Sequence, residues 1–292
     1  HETIDTAWII IKEVLAPMVI GKDWTAPSEV GQWFKQIRGH QMARATVENA
    51  CWDLTARANN IALGMIDSEY VLFLNDDAKV SSDYCTLLID ELKRSSTAAS
   101  AVGKLIYREK SGDYIDSAGI EIIKHKLLPI DRGYSELDQG QYDEKQTVFG
   151  CTAAAAVFKT EALTPLMPEV FDEDFFAYYE DVDLAWRLNN LGWCNKYVPQ
   201  AVGFHKRRGP DNKPVKLAAR AFANRYLLWV KNESIVNLLS YFPFAFVWEM
   251  MRVAKKMLTS PAVLQQVIPT IVKLIPVMVK KRREEQKLAR IG

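Results

Sequence analysis

The chain predicts an α/β fold, a mostly parallel sheet with helices on both faces, followed by an all-helical C-terminal extension. Three observations carry this. Strand-like and helix-like segments alternate through residues 1–200, the pattern of strand–helix crossover units. YVLFLN (70–75) is an unbroken apolar run, as in a parallel strand covered on both faces. After His205 turn signals thin out, and 215–292 carries helical patterning throughout. The chain divides accordingly into an α/β domain over 1–210 and a helical extension over 211–292.

Taken in order, 3–15 reads as a helix and PMVIGK (17–22) as a short buried strand. Ser28 can cap a helix bearing Val30, Trp33, Phe34 and Ile37 at helical spacing. ATVE (45–48) is a weak strand, and Asp53 can cap LTARANNIAL, closed by Gly64. After the strand at 70–75, Tyr84, Leu87, Leu88 and Leu92 mark a helix. AVGKLIY, YIDSAGIEII and CTAAAAVF read as strands, and 131–144 as a surface loop. Asp181–Leu191 reads as a helix ended by Gly192, and YVPQAVGFH (197–205) as the last strand.

Composition excludes several classes. Half of the 292 residues are hydrophobic and a quarter charged, so neither general disorder nor a disulfide scaffold fits. The net charge of +1 gives no reason to expect a nucleic-acid partner. The four cysteines are widely spaced with no CxxC pair, as expected of reduced thiols in a cytoplasmic protein rather than a zinc site. The uncharged run Ser234–Trp248 falls short of the roughly 20 apolar residues of a spanning helix, and no transmembrane segment is expected.

Three features carry chemistry. The strand at 70–75 runs into Asn75, Asp76 and Asp77, and ligands of open α/β sheets bind beyond the carboxyl ends of strands. Adjacent carboxylates repel unless a cation or donor holds them, and their oxygens suit Mg²⁺ or Mn²⁺ together with substrate phosphates; a helix-capping turn is the plainer reading. Next, Glu180, Asp181 and Asp183 cluster at a helix start, where the dipole favours acids. The preceding FFAYY would wall a pocket in which a carboxylate can act as general base. Arg187, four residues past Asp183, can lock that acid, which makes Asp183 mainly structural. Last, His205 ends a strand just before Lys206, Arg207 and Arg208, as a metal ligand beside diphosphate-binding charge or as a structural His before a solvated loop.

Together, YVLFLNDDA, GCTAAAAVFK, FDEDFFAYYEDVDLAWRLNNLGW and YVPQAVGFH resemble family 2 glycosyltransferases of the GT-A (Rossmann-like) fold, especially the rhamnosyltransferase-like branch, over residues 1 to about 235. The resemblance implies an inverting enzyme. Asn75-Asp76-Asp77 stands where the family has its DxD motif, Asp76 toward the donor's ribose or diphosphate and Asp77 on the metal. Asp181 is implied as catalytic base beside Glu180, and His205 as a metal ligand. Asp23 and Asn60 are implied at the nucleotide sugar, although KDWTAP departs from the family's usual pattern and Ala62 replaces its Gly. The family's first strand has no counterpart ahead of the helix at 3–15. The implied partners are a UDP- or dTDP-sugar donor and a glycan or lipid-linked glycan acceptor, and the implied cofactor is Mg²⁺ or Mn²⁺. A non-catalytic glycan-binding module and a sugar nucleotidyltransferase are the alternatives, the latter wanting a Gly-rich phosphate loop that is not seen.

Residues 261–279 are apolar but interrupted by Pro269, Lys273 and Pro276, and KKRR (280–283) follows. Such a stretch suits peripheral contact with an anionic membrane at its cytoplasmic face; a packing or homo-oligomerisation arm is the other reading.

Overall fold

The computed structural model describes residues 3–22, 27–40, 43–44, 47, 59–75, 77–206 and 215–288. The first helix, α1 (Ile4–Ile10), starts at a capping box in which Thr3 and Thr6 each bond the other's backbone N–H, and helical structure continues through Val19. The strand expected at 17–22 is therefore mostly helix. Its apolar run is too short to separate the two periods, and the helical stripe from 3–15 simply continues. With α2 (Pro27–Trp33), this segment encloses a small core of Ala7, Leu15, Val30, Phe34 and Ala43, separate from the cores around the sheet.

The strands of the main sheet are β1 (Tyr70–Leu74), β2 (Ala78–Val80), β3 (Ala98–Glu109), β4 (Gly112–Ser117), β7 (Gln146–Val148), β8 (Ala155–Lys159) and β9 (Cys194–His205). The order is β1-β8-β3-β9-β2, with β4 beside β3 and β7 beside β9; β5 (Ile120–Ile123) and β6 (Leu128–Asp131) form a separate hairpin. The α/β class and the C-terminal helices stand as expected, but strand direction does not. Among the described strand pairs only β3–β9 is parallel. Nor is β1 covered on both faces: among the described strands it lies at the sheet edge, beside β8 alone, with Leu72 and Leu74 exposed, so its apolar run fixed neither two-sided burial nor the direction of its neighbour.

Helix α3 (Tyr84–Arg94) lies on one face, its Tyr84 hydroxyl donating to Ala155 O (2.7 Å) and accepting from Gly103 N–H (3.0 Å). Gly103 is obligatory, since a Cβ there would sit 2.0 Å from Ala201 O. Helix α4 (Glu180–Asn190) packs through Leu184 and Leu188 into the sheet core with Phe158, Phe171 and Tyr197.

Three helices follow: α5 (Val215–Asn232), α6 (Ile235–Thr259) and α7 (Pro261–Leu288). Helix α7 runs through Pro269 and Pro276 without interruption, so the breaks expected there are absent. The extension is not a separate body. Leu227 and Leu228 of α5 share a core with Ile120, Phe175, Val182 and Trp186, and Leu274 and Met278 of α7 complete it. Polar groups tie the same elements. Asp183, fully buried, receives Arg187 Nε, Lys231 Nζ and Asn232 Nδ2, each at 2.8 Å. Lys231 also reaches Asp172 (2.7 Å) and Glu285 (3.0 Å).

This network yields a stability prediction. Lys231→Ala leaves Asp183 and Asp172 buried with less positive charge around them. Breaking a buried pair from one side costs about 3–5 kcal/mol. Urea denaturation should show a loss of that order.

Candidate functional site

The register of the sheet builds the site. Ala78 pairs with His205, so Asp77, one residue upstream, lies at the end of β9 beside His205. Asp77 Oδ1 is 3.2 Å from His205 Nε2. On the other side of the ring, Nδ1 is 2.8 Å from Oδ2 of the buried Asp116. Leu105 pairs with Ser117 and Ile106 with Ile115, which leaves Asp116 as the extra residue of a β-bulge. Such bulges redirect a side chain, and here the side chain reaches His205. Burial alone would lower the imidazole, but hydrogen bonds to Asp116 and Asp77 outweigh it and lift His205 to about 9. A cation at Nε2 would have to displace a proton.

The geometry suits a small divalent cation. Bonds of about 2.0–2.1 Å in an octahedral Mg²⁺ shell put neighbouring ligand atoms about 3 Å apart, close to the Asp77–His205 separation. Asp116 holds the ring by the nitrogen facing away from Asp77, as carboxylates behind metal-bound histidines do. Sequence reasoning missed Asp116. Its only signal was an acid within the otherwise strand-like YIDSAGIEII.

Asp181 approaches from α4. Its Oδ2 accepts from Ala153 N–H (3.3 Å) and its Oδ1 from Val182 N–H (2.8 Å). Ala154 O, next in the chain after Ala153, accepts from Asn75 N–H (2.9 Å). Asp181 and Asn75 thus rest on adjacent residues where β8 begins and β1 ends. Glu180 is half-buried as a residue, but its Oε2 is shut off from solvent with no hydrogen-bond partner among the described residues. Burial, then the charge of Asp181, push its carboxyl up to about 8. One acid of the pair keeps its proton at neutral pH, an arrangement that separates acid and base roles.

The aromatic run before α4 is wound tightly. Phe176, Tyr178 and Tyr179 have φ of 64°, 67° and 73°, values that cost side-chain-bearing residues energy. Asn224 of α5 holds the run by donating to the carbonyls of Phe175 (2.7 Å), Ala177 (2.9 Å) and Tyr178 (2.9 Å). Phe175 turns into the core instead of walling a pocket.

Other expected residues fare differently. Asp183 is structural, as expected, with Arg187 at 2.8 Å. Asn60 is buried and spends its amide on Phe171, donating to its carbonyl (2.9 Å) and accepting from its N–H (3.0 Å). Asp23 and Asp76 lie outside the described residues. Glu169, Asp172 and Asp174 converge closely enough to hold a metal ion, but the Lys281 ammonium fills their midst at 2.8, 2.5 and 2.8 Å. Lys231 and Lys281 overcome burial and hold Asp172 down to about 2.

Residues 3–65 match the family model of the mandelate racemase / muconate lactonizing enzyme N-terminal domain. The chain is 36% identical over 63 residues to o-succinylbenzoate synthase of Bacillus subtilis (strain 168), covering 22% of this chain and 17% of that protein. It is also 38% identical over 65 residues to N-acetylglucosaminyl-diphospho-decaprenol L-rhamnosyltransferase of Mycobacterium tuberculosis (strain ATCC 25618 / H37Rv), covering 22% of this chain and 21% of that one. The chain thus spans about a fifth of the curated relatives it matches. A solved structure, GalNAc-T7 with UDP, GalNAc and Mn²⁺, aligns over 69% of this chain and 44% of its own with a TM-score of 0.40 and 12% identity. Residues 3–65, read from sequence as the opening of the α/β domain, resemble a different family, and the roles given to Asp23 and Asn60 rest on the sequence resemblance alone.

The state of Glu180 sets a pH dependence. Its folded value, about 8, exceeds the ordinary 4.5, so the folded chain binds the extra proton and stability falls as pH rises from 4.5 through 8. Glu180→Gln should melt above the wild type at pH 8 and converge with it near pH 4.5. Each kcal/mol regained is worth about 2–4 °C in a chain of this size, read by thermal melts across pH.

Proposed function

We propose that the chain acts as a metal-dependent, inverting glycosyltransferase, a hexosyl- or rhamnosyltransferase using a UDP- or dTDP-sugar. The acceptor in this reading is a hydroxyl of a glycan or lipid-linked glycan in cell-surface polysaccharide assembly, at the cytoplasmic face of the membrane. The observation that carries it is the convergence of Asp77 and His205, 3.2 Å apart, with Asp181 and Asn75 bound to adjacent residues at the start of β8. The partial likeness to a rhamnosyltransferase supports it. The transferase part begins near β1 and includes α5, whose side chains hold the loop before α4.

In this reading Asp77 and His205 would hold Mg²⁺ or Mn²⁺, with Asp116 fixing the ring. The bound cation would neutralise the leaving diphosphate. Asp181 takes the proton of the acceptor hydroxyl as that oxygen attacks the anomeric carbon from the face opposite the nucleotide. The backbone N–H groups of Ala153 and Val182 keep its carboxylate in place, and Glu180, protonated at neutral pH, does not compete for the proton.

Two experiments test this. Asp181→Asn should lower kcat by about 10²–10⁴-fold, the usual worth of a general base, while calorimetry shows unchanged UDP affinity. If Glu180→Gln is dead and Asp181→Asn active, the base is the neighbouring acid. In Mn²⁺ titrations, Asp77→Asn and His205→Ala should abolish binding, and Asp116→Asn should weaken it about 10–100-fold. Equal UDP affinity with and without a chelator would overturn the metal assignment.

A further inference from the structure

Helix α6 is built inside out. Its inward side holds its one acid. Glu249 is buried and bonds Arg225, Arg252 (3.0 Å) and the Tyr226 hydroxyl (2.7 Å), while Ala245 packs on Leu127 and Trp229. The outward side is apolar for most of its length, with Val236 73%, Leu239 74%, Phe244 65% and Leu258 87% exposed and Phe242, Phe246 and Met250 half exposed or more. A water-facing helix places its polar residues outward, and contiguous apolar surface of this extent marks an interaction site.

We propose that this outer face of α6 docks on an anionic lipid leaflet. Charge selects that occupant. Glu249 is the only acid of α6 and it is buried, so the helix exposes no negative charge, and Lys255 and Lys256 flank the apolar face near its C-terminal end. Beside its middle, Pro243, Phe244, Val247 and Met251 line a groove of about 450 Å³ together with His125 and Lys126. The Lys126 ammonium sits 4.1 Å over the Trp248 ring. Apolar side chains bordered by cations match acyl chains beneath phosphate headgroups.

Helix α7, where sequence placed the membrane contact, is less free to serve. It is long and apolar enough to cross a membrane by length and composition, but Val263 and Val267 pack on Ala219, Phe222 and Ala223 of α5. Of KKRR, Lys281 is paired inside the acid cluster and Arg282 donates to Val230 O (2.9 Å). Removing α7 would open two cores, so point variants on α6 are the cleaner test.

The inference deepens the proposed function by naming the surface that would present the site to a lipid-linked acceptor, and rests on that reading for its purpose. The test is co-sedimentation of the full chain with phosphatidylglycerol or phosphatidylcholine vesicles. The wild type should sediment with the anionic vesicles, and Leu239→Glu/Phe246→Glu should remain in the supernatant with unchanged circular dichroism. Lys255→Ala and Lys256→Ala should each weaken binding about fivefold at low salt, the worth of one cation near an anionic surface. Equal sedimentation of Leu239→Glu/Phe246→Glu and wild type overturns the proposal. So does a wild type that ignores vesicles and forms a dimer which the double variant dissociates, because a second copy then covers the face. UDP titration separates the two readings: vesicle binding without UDP affinity overturns the transferase and leaves the docking face standing.

Discussion

The Asp183 carboxylate is fully buried in α4, and it is tolerable there only because three donors from two helices surround it. A buried charge without such partners would cost far more than its neighbours' packing could return. The position of α4 therefore depends on α5, and the position of α5 depends on α7 through Lys231, Glu285 and the Lys281 cage. Each of these cations is shared between acids, so no pair can be loosened alone. The network fixes the angle at which α4 presents its first turn to the sheet.

That dependence reassigns the C-terminal helices. Set apart by pattern as an extension, they supply Asn224 to the strained aromatic run and Leu227 and Leu228 to the core behind α4. The positive-φ residues Phe176, Tyr178 and Tyr179 persist because Asn224 pins the carbonyls of Phe175, Ala177 and Tyr178 around them. The winding of this run lets Glu180 go inward while the next residue reaches Ala153. Two adjacent acids thereby occupy unlike surroundings, one dry and one held by backbone donors.

Much of this was legible in the residues. The strands at 70–74, 98–109 and 194–205 and the helix at 180–190 follow from apolar runs and an acidic first turn. Asp183 with Arg187 followed from spacing alone. Neither strand direction nor the exposed edge of β1 was legible, because a short apolar run reads the same beside a parallel or an antiparallel partner. Nor was the helix through Val19, since four apolar residues fit either period. Asp116 meets His205 from a strand 89 residues earlier, a pairing that no local pattern encodes. The acid cluster at 169–174 looks like a metal site until the lysine from α7 is placed in it.

The bulge at Asp116 has a consequence for how β4 can vary. Side chains on a strand alternate faces with period two, and the extra residue is what turns this acid toward His205. Many substitutions along β4 leave that count intact, however much they alter its surface. Loss of one residue between Gly112 and Ser117 restores a regular ladder and turns the acid away, with Asp77, Asp116 and His205 all still in the chain. Length, more than composition, is what descent must preserve in this strand, and a gap there in a related chain would mark a changed site even where Asp77 and His205 remain.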